Sequence, residues 1–344
     1  MQSRIPVTVL AGFLGAGKTT LLNRILNADT GMRIAVLVND FGEIDIDSQL
    51  IARIEGETIS LANGCVCCTI RDDLAAAVIG LVEGREPPEY IVTEASGVSD
   101  PAAVAMGLTM SSKLALRVAI DAIVTVVDAE NARSLEGQDA TLAVDQITSA
   151  DIVIVNKIDL VDVTAREGLR QWIRDAAPEA RVIDAVHCEV PLELLLGVGR
   201  HSPERRLDAA PEQAHEHATG ADHAHDHGAG YQSFAWRCAE PLAFEGAYEA
   251  FRTLPLAVFR GKGILNLLEV PERRVIAQMV GKRVTLTRGD PWGARAPDSQ
   301  IVLIGARGEI DVDDLQRRFE ACVAGPAHGA ANPMAEAVIE ILRR

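Results

Sequence analysis

The chain has 344 residues, 48% of them hydrophobic and 24% charged, which suits two domains, or one α/β domain with a substantial appendage, and excludes collagen-like, coiled-coil and wholly disordered chains. Its formal net charge of −16 disfavours a nucleic-acid or anionic-membrane surface. The acidity is confined to the first part: residues 231–344 hold 15 basic and 14 acidic side chains, and the preceding 230 hold 18 and 35.

Uninterrupted β-branched runs recur at Val7–Leu10, Ile34–Val38, Tyr90–Thr93, Ala122–Val127, Ile152–Val155 and Val182–Val186. Unbroken runs suit strands buried on both faces of a parallel sheet. Helical stretches lie between them; Thr164 with Glu167 three residues on forms a capping-box pattern ahead of Leu169 and Trp172. Residues 1–200 are therefore expected to form a doubly wound, mostly parallel α/β domain. From 201 to 230 the apolar periodicity gives way to Ala, Glu, Asp, His and Gly, the composition of a flexible linker. Beyond it, strands are expected at Tyr231–Cys238, Ile264–Val270, Val275–Val280, Val284–Thr287 and Ile301–Ile304. Helices are expected near Phe244–Leu254, Asp311–Val323 and Asn332–Leu342, the last with Asn332 as cap and Pro333 at its first position. Residues 231–344 thus read as a smaller α+β domain.

Gly12-Phe-Leu-Gly15-Ala16-Gly17-Lys18-Thr19 matches G-x-x-x-x-G-K-[ST], directly after the first strand and before a helical segment that begins near Thr20. In that context the glycines turn backbone N–H groups inward around phosphate oxygens, Lys18 reaches the terminal phosphates, and Thr19 binds Mg²⁺. Glu94-Ala-Ser-Gly97 follows the third strand run, where P-loop GTPases carry a carboxylate that orients Mg²⁺ and a glycine that senses the γ-phosphate. Asn156-Lys157-Ile158-Asp159 closes another strand and resembles the guanine-recognition tetrad of GTP-binding proteins. A carboxylate at Asp159 accepts from N1–H and the exocyclic amine of guanine, a donor pair adenine lacks, and Asn156 is expected on the opposite edge of the base. After the next strand, His187 and Cys188 either touch the base or form an ordinary loop. No side chain stands out as a general base, so catalysis is expected to rest on positioning and electrostatics, with Lys18 and Mg²⁺ offsetting developing charge.

Six cysteines are too few for a disulfide framework, and three of them, Cys65, Cys67 and Cys68, fall within four residues. As thiolates these form a soft donor set suited to Zn²⁺ or Cu(I); buried small hydrophobes or a redox pair are the other readings. With Gly12–Thr19, Asn39-Asp-Phe-Gly-Glu43, Asn63–Cys68, Glu94–Pro101, Val127-Asp128-Ala129 and Asn156–Asp159, and more weakly Arg260–Gly263 and Trp292, the chain resembles the CobW-type P-loop GTPases, relatives of the nickel-insertion GTPases for hydrogenase and urease. The resemblance implies a GTP-hydrolysing metallochaperone that uses Mg²⁺, carries Zn²⁺ or Co²⁺ to a metal-dependent client protein, and admits a homodimer. Some members use an acidic residue just before the Asn-Glu-Phe-Gly-Glu stretch at a surface metal site; here Val38 stands there and Asp40 replaces the first Glu. Only Glu43 is therefore carried over as a carboxylate ligand beside the three cysteines. A nucleotide-switched binding module with a structural zinc, and a cobalt-handling protein of cobalamin synthesis, share the same motifs.

His215, His217, His223, His225 and His227 place five of the eight histidines within thirteen residues. Neutral imidazoles on a flexible segment suit Zn²⁺, Co²⁺, Ni²⁺ or Cu²⁺, so metal capture is expected there, with a merely solvated linker as the alternative. Between Arg260 and Arg288 seven basic residues face only Glu269 and Glu272, read either as a solvated sheet face or as a docking surface for an acidic partner. The first residues show no basic stretch followed by an apolar run, and no segment reaches the roughly 18 apolar residues of a membrane span. A cytoplasmic location, with neither nucleic acid nor membrane as partner, is the expectation.

Overall fold

A computed structural model describes residues 4–40, 58–62, 69–196, 230–324 and 333–343. The chain divides into two units, Met1–Leu196 and Gly197–Arg344. Glu43, the three clustered cysteines and the five linker histidines lie outside the described residues.

In the first unit the strands are β1 Ile5–Ala11, β2 Ile34–Asp40, β3 Thr58–Ala62, β4 Tyr90–Glu94, β5 Val118–Asp128, β6 Ile152–Asn156 and β7 Arg181–Asp184. They form one sheet in the order β3-β2-β4-β1-β5-β6-β7, with every pairing parallel. The expected doubly wound parallel sheet is what the chain adopts. Its helices are α1 Lys18–Asn27, α2 Thr69–Glu83, α3 Pro101–Met110, α4 Gly137–Ser149, α5 Val163–Ala176 and α6 Leu192–Leu196. Val7, Leu37 and Ile91 pack with Leu74 and Val78 of α2 and Leu108 of α3. Farther along the sheet, Val153 and Val155 pack with Ile147 of α4 and with Leu169 and Ile173 of α5. Each such fully buried aliphatic side chain contributes about 1.5–3 kcal/mol. Because β1 sits between β4 and β5, strand order reverses at its end, and in open α/β sheets ligands bind outside the carboxyl ends at such a point.

Two local expectations change. β3 is an added strand: five residues at the sheet edge, too short and too mixed to stand out. Helix α5 starts a residue before Thr164, and its cap is Asp162, whose carboxylate accepts from the Ala165 N–H at 2.8 Å. An ionised cap also favours the positive end of the helix dipole, which a hydroxyl does not match.

The second unit is a five-stranded antiparallel sheet, ordered β11-β10-β9-β12-β8. The strands are β8 Tyr231–Cys238, β9 Val258–Leu267, β10 Val270–Val280, β11 Arg283–Pro291 and β12 Ser299–Ala306, with helices α7 Phe244–Arg252, α8 Val312–Glu320 and α9 Pro333–Arg343. Its core gathers Phe251 and Phe319, ring centroids 5.7 Å apart, with Phe234 and Trp236. The strand expected at 264–270 instead begins at Val258 and turns after Leu267. Arg260-Gly-Lys-Gly263 concealed it, yet the glycines are packing residues. A Cβ on Gly261 would stand 2.7 Å from the Leu303 Cδ2 and one on Gly263 3.2 Å from the Phe251 Cζ. Arg260 is buried, so the basic stretch is not a uniformly solvated face.

Candidate functional site

The carboxyl ends of β1, β4, β5, β6 and β7 bring the sequence-predicted nucleotide residues into one neighbourhood. At the end of β1 the chain turns through Gly12, Gly15 and Gly17, all at positive φ, before α1 begins at Lys18. Two of these glycines are sterically obligatory. A Cβ on Gly12 would collide with the Val126 carbonyl oxygen of β5, and one on Gly17 would lie 2.5 Å from Asn156 Nδ2. A Cβ on Gly15 would meet nothing within 4 Å, so this turn faces open space.

Lys18, 7% exposed, donates to the Gly12 carbonyl at 2.9 Å and lies 4.0 Å from Glu94 Oε1. Glu94, at the end of β4, is itself 4% exposed. A buried carboxylate and the Thr19 hydroxyl in the first turn of α1 offer hard oxygen donors beside a lysine, a set that suits Mg²⁺. When bound there, the ion neutralises charge on phosphate oxygens.

Asn156 works as a clamp. Its Nδ2 donates to the Ala16 carbonyl at 2.9 Å, and its Oδ1 accepts from the Cys188 N–H at 2.8 Å. The Cys188 thiol in turn lies 3.3 Å from the Gly17 carbonyl. The P-loop, β6 and the loop after β7 are thereby tied through one buried amide. That loop holds His187 and Cys188 at φ 49° and 55°, an uncommon region for non-glycine residues, and Arg24 of α1 braces it by donating to the His187 carbonyl at 2.8 Å. Burial pushes the Cys188 thiol up to about 11, against weaker pulls from Arg24 and Lys157, which keeps it protonated at neutral pH. Asp159 contrasts with Asn156: it is exposed.

Lys157 sits at φ 63° and its ammonium reaches Asp128 Oδ2 at 2.7 Å. Asp128, paired with Asn156 in the β5–β6 register, also accepts from the Glu130 N–H at 2.9 Å and from Asn131 Nδ2 at 3.0 Å. Burial alone pushes this carboxyl up. The hydrogen bonds from Lys157, Asn131 and Glu130 outweigh it and hold the pKa below the ordinary carboxylate value.

Sequence reasoning missed Gln146 of α4, which is 1% exposed. Its Nε2 donates to the Gly97 and Ser99 carbonyls, each at 3.1 Å, so it grips the loop that follows Glu94. Gly97 also presses on the P-loop, where a Cβ would lie 3.0 Å from the Leu14 nitrogen.

Residues 6–184 match the CobW/HypB/UreG nucleotide-binding domain, and residues 231–323 match the cobalamin synthesis protein cobW C-terminal domain. The chain belongs to the CobW/HypB/UreG family. Together with the P-loop and the Asn-Lys-x-Asp tetrad, membership makes it a GTPase. Among similar proteins, a zinc chaperone CobW of Sinorhizobium sp is 30% identical, over 92% of this chain and 96% of its own. The zinc chaperone YjiA of Escherichia coli is 30% identical, over 92% and 98%. A zinc-regulated GTPase metalloprotein activator 1 of Dictyostelium discoideum is 29% identical, over 84% of this chain and 68% of its own. Among the described residues no group of three metal-ligating side chains converges. No described helix is long and apolar enough to cross a membrane.

Proposed function

We propose that this GTPase is a zinc carrier: it binds the ion through the Cys65, Cys67 and Cys68 thiolates with Glu43, and releases it to a client protein in step with the nucleotide state. In this reading the phosphates lie against Gly12, the Gly15–Thr20 turn and Gly97, and the base lies against Asn156, Lys157 and Asp159. The 201–230 segment joins the two domains and gathers ions on His215, His217, His223, His225 and His227.

The observation that carries the reading is where the cysteine motif is inserted. Ala62, the last residue of β3, pairs with Asp40 at the carboxyl end of β2, and α2 starts at Thr69. Because every strand of the sheet is parallel, Ala62 lies on the same edge as Lys18 and Glu94. β3 thus ends on the side of the sheet where the nucleotide residues gather, and the cysteine motif follows it directly in sequence. Similarity to proteins named zinc chaperones supports zinc as the cargo.

The test is a Zn²⁺ titration against a chelating competitor, first with GDP and then with a non-hydrolysable GTP analogue. Linkage requires any effect to be reciprocal, and couplings of about 1–3 kcal/mol correspond to roughly 5–150-fold in affinity. Cys67→Ala is expected to abolish the difference. Deleting residues 215–227 is expected to lower metal stoichiometry while the difference survives. Identical affinities in both nucleotide states would leave the cysteines as a static structural site and refute the proposal. Repeating the titration with Co²⁺ identifies which ion responds to nucleotide.

A further inference from the structure

We propose that Gln146 is a positioning residue for GTP hydrolysis, acting from α4 through the loop at residues 95–99. The loop starts one residue after Glu94 and ends where Asp100 caps α3, its carboxylate accepting from the Ala102 N–H at 2.8 Å. Three of its five carbonyls have assigned donors. The Ser96 carbonyl accepts from the Ser99 N–H at 2.9 Å, and the Gly97 and Ser99 carbonyls both accept from Gln146 Nε2. Since a trans peptide holds its C=O and N–H antiparallel, a Gly97 carbonyl drawn to α4 turns the Val98 N–H away from α4. The Ser96 bond fixes the Gly97 N–H in the same way. Gln146 thereby sets the direction of the Val98 N–H, and the Ser96–Ser99 turn sets that of the Gly97 N–H, in the loop that follows Glu94.

Gln146 is itself held. Its own carbonyl accepts from the Thr125 hydroxyl of β5 at 2.8 Å, in addition to its place in the helix. A side chain 1% exposed, with both amide hydrogens directed at one loop, is more than filler, because a packing residue at this site would be apolar. The loop and the P-loop also touch directly, at Gly97 and Leu14. Displacing the loop therefore changes the geometry around the terminal phosphate while Asn156, Lys157 and Asp159 at the end of β6 stay where they are. This inference concerns the hydrolytic reaction and is independent of which metal is carried.

Gln146→Met keeps length and removes both donors. In the full-length protein with GTP and Mg²⁺, single-turnover hydrolysis is expected to slow by up to about 100-fold, the order of loss that misplacement of about 1 Å produces. GDP affinity, measured by calorimetry, is expected to stay within about 2-fold, since GDP has no γ-phosphate for the loop to meet. Hydrolysis within about 2-fold of the unmodified protein would overturn the proposal. So would a fall in GDP affinity that parallels the fall in rate, which marks general damage to the site. Should Gln146→Met fail to fold, Thr125→Val removes the hydroxyl that anchors the Gln146 backbone carbonyl, and so loosens the helix turn that carries the side chain. A slower turnover with unchanged GDP affinity is again expected, and parallel losses again refute it.

Discussion

Asn156 and Asp159 lie three residues apart in one motif, yet one is buried and ties the P-loop to the loop after β7 while the other is exposed, and substituting each to alanine should separate their effects. Asn156→Ala removes a side chain that is 2% exposed and orphans the Ala16 carbonyl and the Cys188 N–H. Each buried group left unsatisfied costs about 1–3 kcal/mol. Partial relaxation around the small cavity brings the expected total to about 2–4 kcal/mol. At roughly 2–4 °C per kcal/mol for a domain of this size, the nucleotide-free protein should melt roughly 4–16 °C lower. Asp159→Ala removes an exposed carboxylate and should leave stability within about 0.5 kcal/mol. Its effect should appear only with ligand, as loss of discrimination between guanine and adenine nucleotides. The assay is differential scanning calorimetry of the nucleotide-free protein, paired with titration by GDP and ADP. If Asp159→Ala destabilises the free protein as much as Asn156→Ala does, or if Asn156→Ala leaves the melting temperature unchanged, the clamp described here is wrong.

Three further outcomes follow from the same geometry. Gly17→Ala forces a Cβ to 2.5 Å from Asn156 Nδ2 at φ 116°, so it should abolish detectable GDP binding and lower the melting temperature; retained binding in calorimetry would contradict the steric argument. Thr93 is fully buried, and among the described residues its hydroxyl has no hydrogen-bond partner, so Thr93→Val should be neutral or stabilising by about 1 kcal/mol in thermal melts, and marked destabilisation would show an unseen partner. For Asp128, whose pKa in the fold lies below the ordinary 3.8, ionisation stabilises the fold above that value, and the contribution is lost as pH falls through the depressed pKa. The melting-temperature gap between the unmodified protein and Asp128→Asn should be constant from about pH 8 to 5 and shrink only below about pH 4, whereas a gap that widens on acidification would reverse the assigned sign.

The run of parallel strands and the place of the P-loop were legible because both rest on local chemistry. An unbroken run such as Val7–Leu10 has few folded fates besides a strand buried on two faces, and glycines at positive φ leave a recognisable spacing. The edge strand β3 and the start of β9 were not legible. Thr58–Ala62 mixes polar and apolar residues at an edge, where burial imposes little pattern. In β9 the residues that make close packing possible are glycines, and a glycine carries no hydrophobic signal even where Phe251 fills the space it leaves. The cap of α5 was misplaced by two residues because Asp162 and Thr164 are both good caps, and only the bond to Ala165 N–H separates them.

Within the site, residue types were readable and partners were not. Asn156 was expected on one edge of the base; the backbone groups it holds besides lie 140 and 32 residues away in the chain, and only the adjacency of β1, β5, β6 and β7 brings them to it. Gln146 carried a usable signal. It occupies the stripe of α4 formed with the buried Ala143 and Ile147, three and one residues away, and a polar residue on a helix's buried stripe must find a partner or leave it. That rule says a partner exists; it does not say which. The loop at Gly97 becomes the answer only once β4 and β5 are seen to flank β1, since that arrangement sets α4 beside the loop that leaves β4. Periodicity along the chain therefore locates residues with a chemical obligation, and the order of strands decides to whom the obligation is owed.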